Sequence, residues 1–217
     1  MSKAFFFDFD GVVVDSKNVK IESYRYVIQQ DHKVWSKEIE QILPDQLWKN
    51  RKDVLRYIYD EFFKEKLSFD RLQSLNHHFT VSNVKGIIEK APLIEGIPGL
   101  FTPIKNKGYA IYIVSLTDHV ELEMILSQKK ILPYITGFSG APSLKADSIR
   151  AILQKDKLDY RMCYLIGDSK GDWEAANANH ILFIPFSEDA TIRSKELLGL
   201  NHIKPLKKLE KLLDIIV

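Results

Sequence analysis

Asp8 and Asp10 stand one residue apart inside the run FFFDFDGVVVDS, residues 5–16, among Phe5, Phe6, Phe7, Phe9, Val12, Val13 and Val14. The apolar residues alone would make a buried strand, in which a carboxylate is costly unless something compensates its charge. Positions i and i+2 of a strand point to one face, so both carboxylates converge on a single spot if the strand ends there. Such a spot suits a divalent metal ion, which prefers oxygen ligands.

The elements that must carry these residues show two textures. Glycine occurs at Gly11 and not again until Gly86, with Pro44 the one proline between them, whereas the rest of the chain alternates short apolar runs with glycine and proline. In the first texture Val54, Ile58 and Phe62 recur four apart, joined by Leu55 and Tyr59, which is the stripe of an amphipathic helix. Ser36 is placed as an N-cap with Ile39 at the third helical position, and Pro44 marks the next break. Asp15 and Ser16 read as the cap of the first helix. Residues 15 to about 89 are therefore expected to be several helices without strands.

In the second texture, apolar runs precede helical ones: YAIYIVS (109–115) before DHVELEMILSQKK, and MCYLIG (162–167) before GDWEAANAN, with ILFIPF (181–186) a further strand and YITGFS (134–139) a weaker one. Continuous apolar strands alternating with helices predict a parallel sheet covered on both faces. Ligands of such sheets bind beyond the carboxyl ends of the strands. Those ends carry Asp8 and Asp10, then Ser115, then Gly167 with Asp168, so three strands deliver polar groups to one rim.

Composition bounds the possibilities. The chain has 217 residues, 45% of them apolar, enough for a sizeable core. A formal charge of +2 is too mild for a nucleic-acid partner, which needs clustered cations. The lysines of KPLKKLEKLL near the C-terminus alternate with leucines and read as the solvated face of a closing helix. The single cysteine, Cys163, reads as a buried strand residue. No signal peptide and no membrane span is expected, and the cytoplasm is the expected compartment. The histidines lack metal-ligand spacing: His77 and His78 are adjacent, and His119 falls in a helix's first turn, so zinc is not expected.

Together, DFDGVVVDS (Asp8 to Ser16), Ser115 closing AIYIVS, a lysine in SLKADSI and GDSKGD (Gly167 to Asp172) resemble, in order and spacing, the haloacid dehalogenase superfamily of aspartate-nucleophile phosphotransferases. The resemblance implies a doubly wound, Rossmann-like α/β core, residues 1–14 and 90–217, with a small inserted helical cap domain at 15–89. It implies Mg²⁺, held by the Asp8 carboxylate, the Asp10 main-chain carbonyl and the Asp168 carboxylate, with Asp172 in a supporting or water-mediated position. Asp8 would attack phosphorus to form an aspartyl-phosphate, and Asp10 would pass protons to the leaving group and from water. Ser115 would hydrogen-bond a phosphoryl oxygen, and Lys145, the one lysine between Lys130 and Lys155, would hold Asp8 and the phosphoryl group. Gly11 and Leu116 would offer backbone N–H groups to the phosphate. Cations are required because two unit charges about 4 Å apart repel by roughly 1 kcal/mol in water but by about 4 kcal/mol at an effective dielectric near 20.

Taken singly, Asp168 and Ser115 read as caps or turn residues and Lys145 as an exposed lysine; the joint pattern favours the site. Three features depart from the family. Ser143 occupies the usual lysine position relative to Asp147, Leu116 follows Ser115 where asparagine is common, and His180 stands where relatives carry a left-handed glycine. In WKNRKD, Lys49 and Arg51 are candidates to reach an acidic or phosphorylated substrate, the alternative being an exposed basic helix start. The expected activity is hydrolysis of a small phosphomonoester, with a sugar phosphomutase or a non-enzymatic binding protein on the same scaffold as alternatives.

Overall fold

The computed structural model describes residues 3–47, 49–186, 206 and 208–212. The chain divides into two compact units, one of Met1–Asp15 with Leu93–Val217, the other of Ser16–Pro92.

The first unit is built on a five-stranded sheet. Its strands are β1 (Ala4–Phe7), β2 (Ala110–Asp118), β3 (Gly137–Ala141), β4 (Cys163–Gly167) and β5 (Leu182–Pro185). They lie in the order β3-β2-β1-β4-β5, and every pairing is parallel. All four residues of β1 are buried, as a central strand covered on both faces requires. On one face Phe6, Tyr112, Val114 and Leu165 pack with Ile149 of helix α7 (Lys145–Lys155) and with Ala175 and Ala176 of α8 (Lys170–Ala178). On the other, Phe7 meets Phe101 of α5 (Phe101–Asn106) edge-on at 5.0 Å, and α6 (His119–Gln128) follows β2 directly. The fold is the expected doubly wound one. Strand order reverses at β1, and the crevice beyond its carboxyl end is where such sheets hold ligands.

Several boundaries differ from the sequence reading. β2 runs three residues beyond Ser115, because a register irregularity between Val114 and Asp118 lets it rejoin β3 through Asp118 and Ala141. β3 starts at Gly137, since Pro133 places Leu132–Tyr134 in a 3₁₀ turn. Val12, Val13 and Val14 are buried in a turn rather than a strand, their N–H groups directed at the Phe9 carbonyl. His180 adopts φ 55°, the left-handed conformation its position implied. Cys163 is buried as expected, and burial pushes its thiol up to about 11. Of the segment 204–213, residues 204, 205, 207 and 213 lie outside the described residues. Leu209–Lys211 form a 3₁₀ turn with Leu209 and Leu212 buried.

The second unit contains α1 (Lys17–His32), α2 (Lys37–Ile42), α3 (Arg51–Ile58) and α4 (Phe69–Lys90). Ser36 caps α2 by accepting the Ile39 N–H at 3.3 Å. Ser16 precedes α1 but makes no side-chain cap, because its own backbone is already helical (φ −97°, ψ −4°). The stripe read from Val54 onward continues through α3 into a π turn at Tyr59–Phe63. Tyr24, Val27 and Ile28 of α1, Val54, Leu55 and Ile58 of α3, and Leu72, Leu75 and Phe79 of α4 form this unit's core. Beside it Arg71 bonds Asp31 and Glu65, and Tyr59 donates its hydroxyl to Asp31 at 2.5 Å. No helix among the described residues is long and apolar enough to cross a membrane.

Candidate active site

β1 ends in the middle of the sheet, and Asp8 extends its ladder by one bond, donating its N–H to the Ile166 carbonyl at 2.9 Å. The chain then turns through Gly11, whose φ of +84° is one that L side chains rarely adopt. A Cβ at Gly11 would stand 2.6 Å from Asp168 Oδ2, so the turn and the aspartate after β4 share one cramped space. Asp8 Oδ1 accepts from the Phe9 N–H at 2.7 Å and meets Lys145 Nζ at 2.7 Å.

Lys145 is the first residue of α7, and its ammonium also donates to Asp172 Oδ1 at 2.5 Å. Asp172 is fully buried in the first turn of α8. Its Oδ2 accepts from the Ser169 N–H at 3.1 Å and from the Ser169 hydroxyl at 2.5 Å, while Ser169 Oγ accepts the Asp172 N–H at 3.3 Å. This reciprocal capping box fixes the helix start and the carboxylate together. Asp8, Asp168 and Asp172 each offer a carboxylate oxygen, and these oxygens lie within 4.8 Å of one another.

A second cluster comes from β2. Ser115 and Thr117 are buried and Leu116 between them is exposed, the alternation of a strand. Ser115 Oγ accepts the Thr117 N–H at 3.0 Å, and Thr117 Oγ1 donates to Asp10 Oδ2 at 3.0 Å.

The family model described as haloacid dehalogenase-like hydrolase matches residues 5–185, most of the chain. The chain belongs to the haloacid dehalogenase-like hydrolases. Comparison with curated proteins finds no match. Among solved structures, a haloacid dehalogenase-like family hydrolase from Streptococcus pneumoniae is similar at 21% identity with a TM-score of 0.82, over 100% of this chain and 99% of that one. A protein described as a predicted phosphoglycolate phosphatase from Haemophilus somnus gives 15% identity and 0.83, over 100% and 98%. A variant of CbbY from Rhodobacter sphaeroides in complex with xylulose-(1,5)bisphosphate gives 16% and 0.79, over 98% and 96%. At these identities the likeness is one of fold.

The electrostatics of this hydrolase's cluster fit a divalent cation. Burial, then Asp172, push the Asp8 carboxyl well above the usual carboxylate range against the opposing pull of Lys145, and Asp168 and Asp10 add to the push. Burial alone would lower the Lys145 ammonium, but Asp172 and Asp8 outweigh it and keep the ammonium charged. One ammonium thus faces several carboxylates. A hard, oxygen-seeking dication matches both the all-carboxylate donor set and the residual negative charge. Asp172 already receives protein donors on both oxygens, which suits an orienting position around such an ion.

Of the residues singled out in the sequence, the structure gathers Asp8, Lys145, Asp168 and Asp172, with Gly11 against Asp168, and sets Asp10 next to the β2 end that carries Ser115. Lys49 and Arg51 belong to the helical unit. Lys49 Nζ lies over the Tyr57 ring at 5.5 Å. Arg51 donates to Thr80 Oγ1 at 2.7 Å and to Asn76 Oδ1 at 3.4 Å, with its guanidinium over Phe79 at 4.4 Å. Two site residues were missed. Ser169 was readable from the Ser-x-x-Asp spacing before α8. Thr117 carried a fainter signal, its i+2 relation to Ser115.

Proposed function

We propose that this hydrolase is a Mg²⁺-dependent phosphatase of a small phosphomonoester, working through an aspartyl-phosphate on Asp8. The observation that carries the reading is a buried carboxylate held 2.7 Å from an ammonium, one residue from a second acid and within 4.8 Å of two further carboxylates. A site that merely bound an anion would gain nothing from this concentration of negative charge. When bound, Mg²⁺ supplies charge neutralisation for the phosphoryl oxygens and their attacker.

Asp8, Asp168 and the Asp10 main-chain carbonyl would hold the ion, and Asp172 would orient Lys145 and the ion's surroundings. A carboxylate oxygen of Asp8 forms a bond to phosphorus as the ester P–O bond breaks, and the departing alkoxide takes a proton from the Asp10 carboxyl. Asp10, now ionised, accepts a proton from water as that water attacks the aspartyl-phosphate. The P–O bond to Asp8 breaks, phosphate leaves and both aspartates return to their starting forms. Lys145 stays charged and holds Asp8 in line for attack. Ser115 Oγ accepts from Thr117, which leaves its own proton available to donate to a phosphoryl oxygen, beside the backbone N–H of Leu116 and the turn at Gly11.

We read the helical unit as the cap that selects the substrate, with Lys49 and Arg51 as its contacts to an acidic or phosphorylated group, and the cytoplasm as the compartment. The test is phosphate release from a panel of phosphomonoesters, including sugar phosphates and phosphoglycolate, with Mg²⁺ and with chelator. Mg²⁺-dependent release concentrated on one ester is the expected result. No release from any ester would overturn it and point to a bisphosphate-primed mutase assay. Within that panel, Arg51→Ala should lower kcat/KM on the preferred ester; an unchanged value removes Arg51 from the cap's contacts.

A further inference from the structure

Resting on the proton-transfer role just assigned to Asp10, we propose that Thr117 is the positioning residue that decides which oxygen of Asp10 carries the transferable proton. Thr117 is 5% exposed, and its hydroxyl meets Asp10 Oδ2 at 3.0 Å across 107 positions of sequence. A carboxyl group that receives a hydrogen bond on one oxygen favours its own proton on the other, because the receiving oxygen is then the carbonyl-like one. The Thr117 hydroxyl therefore assigns Oδ2 the acceptor role and leaves Oδ1 to deliver the proton to the leaving alkoxide. In the second half-reaction the same contact holds the ionised carboxylate in the orientation from which Oδ1 takes the proton of water.

The backbone around Thr117 is itself fixed, as a positioning role demands. Its N–H is tied to Ser115 Oγ at 3.0 Å. Its carbonyl lies against β3 so closely that a Cβ at Gly140 would stand 2.5 Å from it. Its strand is bulged between Val114 and Asp118, and bulges re-aim side chains next to active sites. One short segment thus sets the Ser115 hydroxyl and the Asp10 carboxyl relative to each other.

The experiment compares kcat/KM for an alkyl phosphate, whose alkoxide needs a proton to leave, with that for p-nitrophenyl phosphate, whose leaving group does not. This ratio reports steps only up to departure of the leaving group, so the later attack of water does not blur it. Asp10→Asn should lower the alkyl rate by roughly 10²–10⁴ and the aryl rate far less, the range typical of general acid catalysis. Thr117→Val should lower the alkyl rate by about ten- to a hundredfold, the scale of a misplaced catalytic group, with a smaller loss on the aryl ester and little change in KM. Thr117→Ser should restore most of the alkyl rate. In an Asp10→Asn background, Thr117→Val should cost almost nothing more, because it acts through the group already removed. Thr117→Ala serves if valine unfolds the protein.

Equal losses on both esters, or no loss on either, with a discriminating Asp10→Asn would overturn the inference alone. An Asp10→Asn enzyme that treats the two esters alike would overturn the proton-transfer reading and this inference with it.

Discussion

Asp8 is placed where its charge is least welcome, and that is the clearest sign of what it is for. Its carboxyl is raised above the ordinary value of 3.8, mainly by burial and by Asp172. A carboxyl raised in the folded state contributes stability that is fully present below its unfolded value and is lost as pH rises through the folded one. Without metal, the protein should therefore lose stability as pH rises from about 4 towards neutrality. Asp8→Asn removes that charge while leaving Asp172 to pair with Lys145. In chelator at neutral pH the variant should melt a few degrees higher than wild type, each 1 kcal/mol being worth about 2–4 °C for a chain of this length. Near pH 4 the difference should close. The same variant should have no turnover with Mg²⁺. A variant that melts lower in chelator would show that the Asp8–Lys145 contact outweighs the repulsion.

The start of α8 joins helix formation to the site, since Ser169 caps the helix and holds Asp172, which in turn holds Lys145. Ser169→Ala should cost about 0.5–2 kcal/mol, the usual loss of an N-cap, and should lower kcat as well because Asp172 Oδ2 loses the hydroxyl donor and keeps only the backbone N–H of residue 169. Thermal melting and kinetics on the same sample check both; a stability loss with unchanged kcat would limit Ser169 to capping. Such elements also mark the reach of the sequence. The apolar runs of β1, β4 and β5 were legible because a strand covered on both faces leaves no polar alternation to obscure it. The last residues of β2 were not, because Leu116 is exposed and the pairing of Asp118 depends on a bulge. Asp8 and Asp10 were legible as charges where none should be. Thr117 was not, since its partner lies 107 positions away and its i+2 relation to Ser115 does not by itself distinguish it from a turn threonine. Ser16 looked like a cap by type, but capping is decided by backbone conformation.

Across the whole chain, acid should act unevenly on the two units. In the helical unit, burial raises the Asp31 carboxyl, but the hydrogen bonds from Arg71 and Tyr59 outweigh it and hold the group below 3.8. A depressed carboxyl contributes stability that is present above its unfolded value and disappears as pH falls through the folded one. Asp31→Asn should therefore weaken the protein at pH 6 and make progressively less difference as pH falls below 3.8, checked by denaturant unfolding across that range. A mutational cost that persists undiminished at the lower pH would contradict the assignment.

The pairing of Val14 with Leu93 has a meaning for how the chain can be built. Ala4 pairs with Ala110, and roughly three quarters of the chain between them belongs to the Ser16–Pro92 unit. Closing that long excursion, compared with the short one left without it, is under two doublings of loop length, or about 1 kcal/mol. Because entry and exit lie side by side, even that cost shrinks once the helices have formed. During synthesis β1 emerges first and must wait, unpaired, for β2 and β4, while everything needed to complete the helical unit has already been made. The strand that leads to Asp8 is thus the earliest part of the sheet to be synthesised and depends on later ones, so the carboxylate cluster at its end assembles only after the whole helical segment has been made.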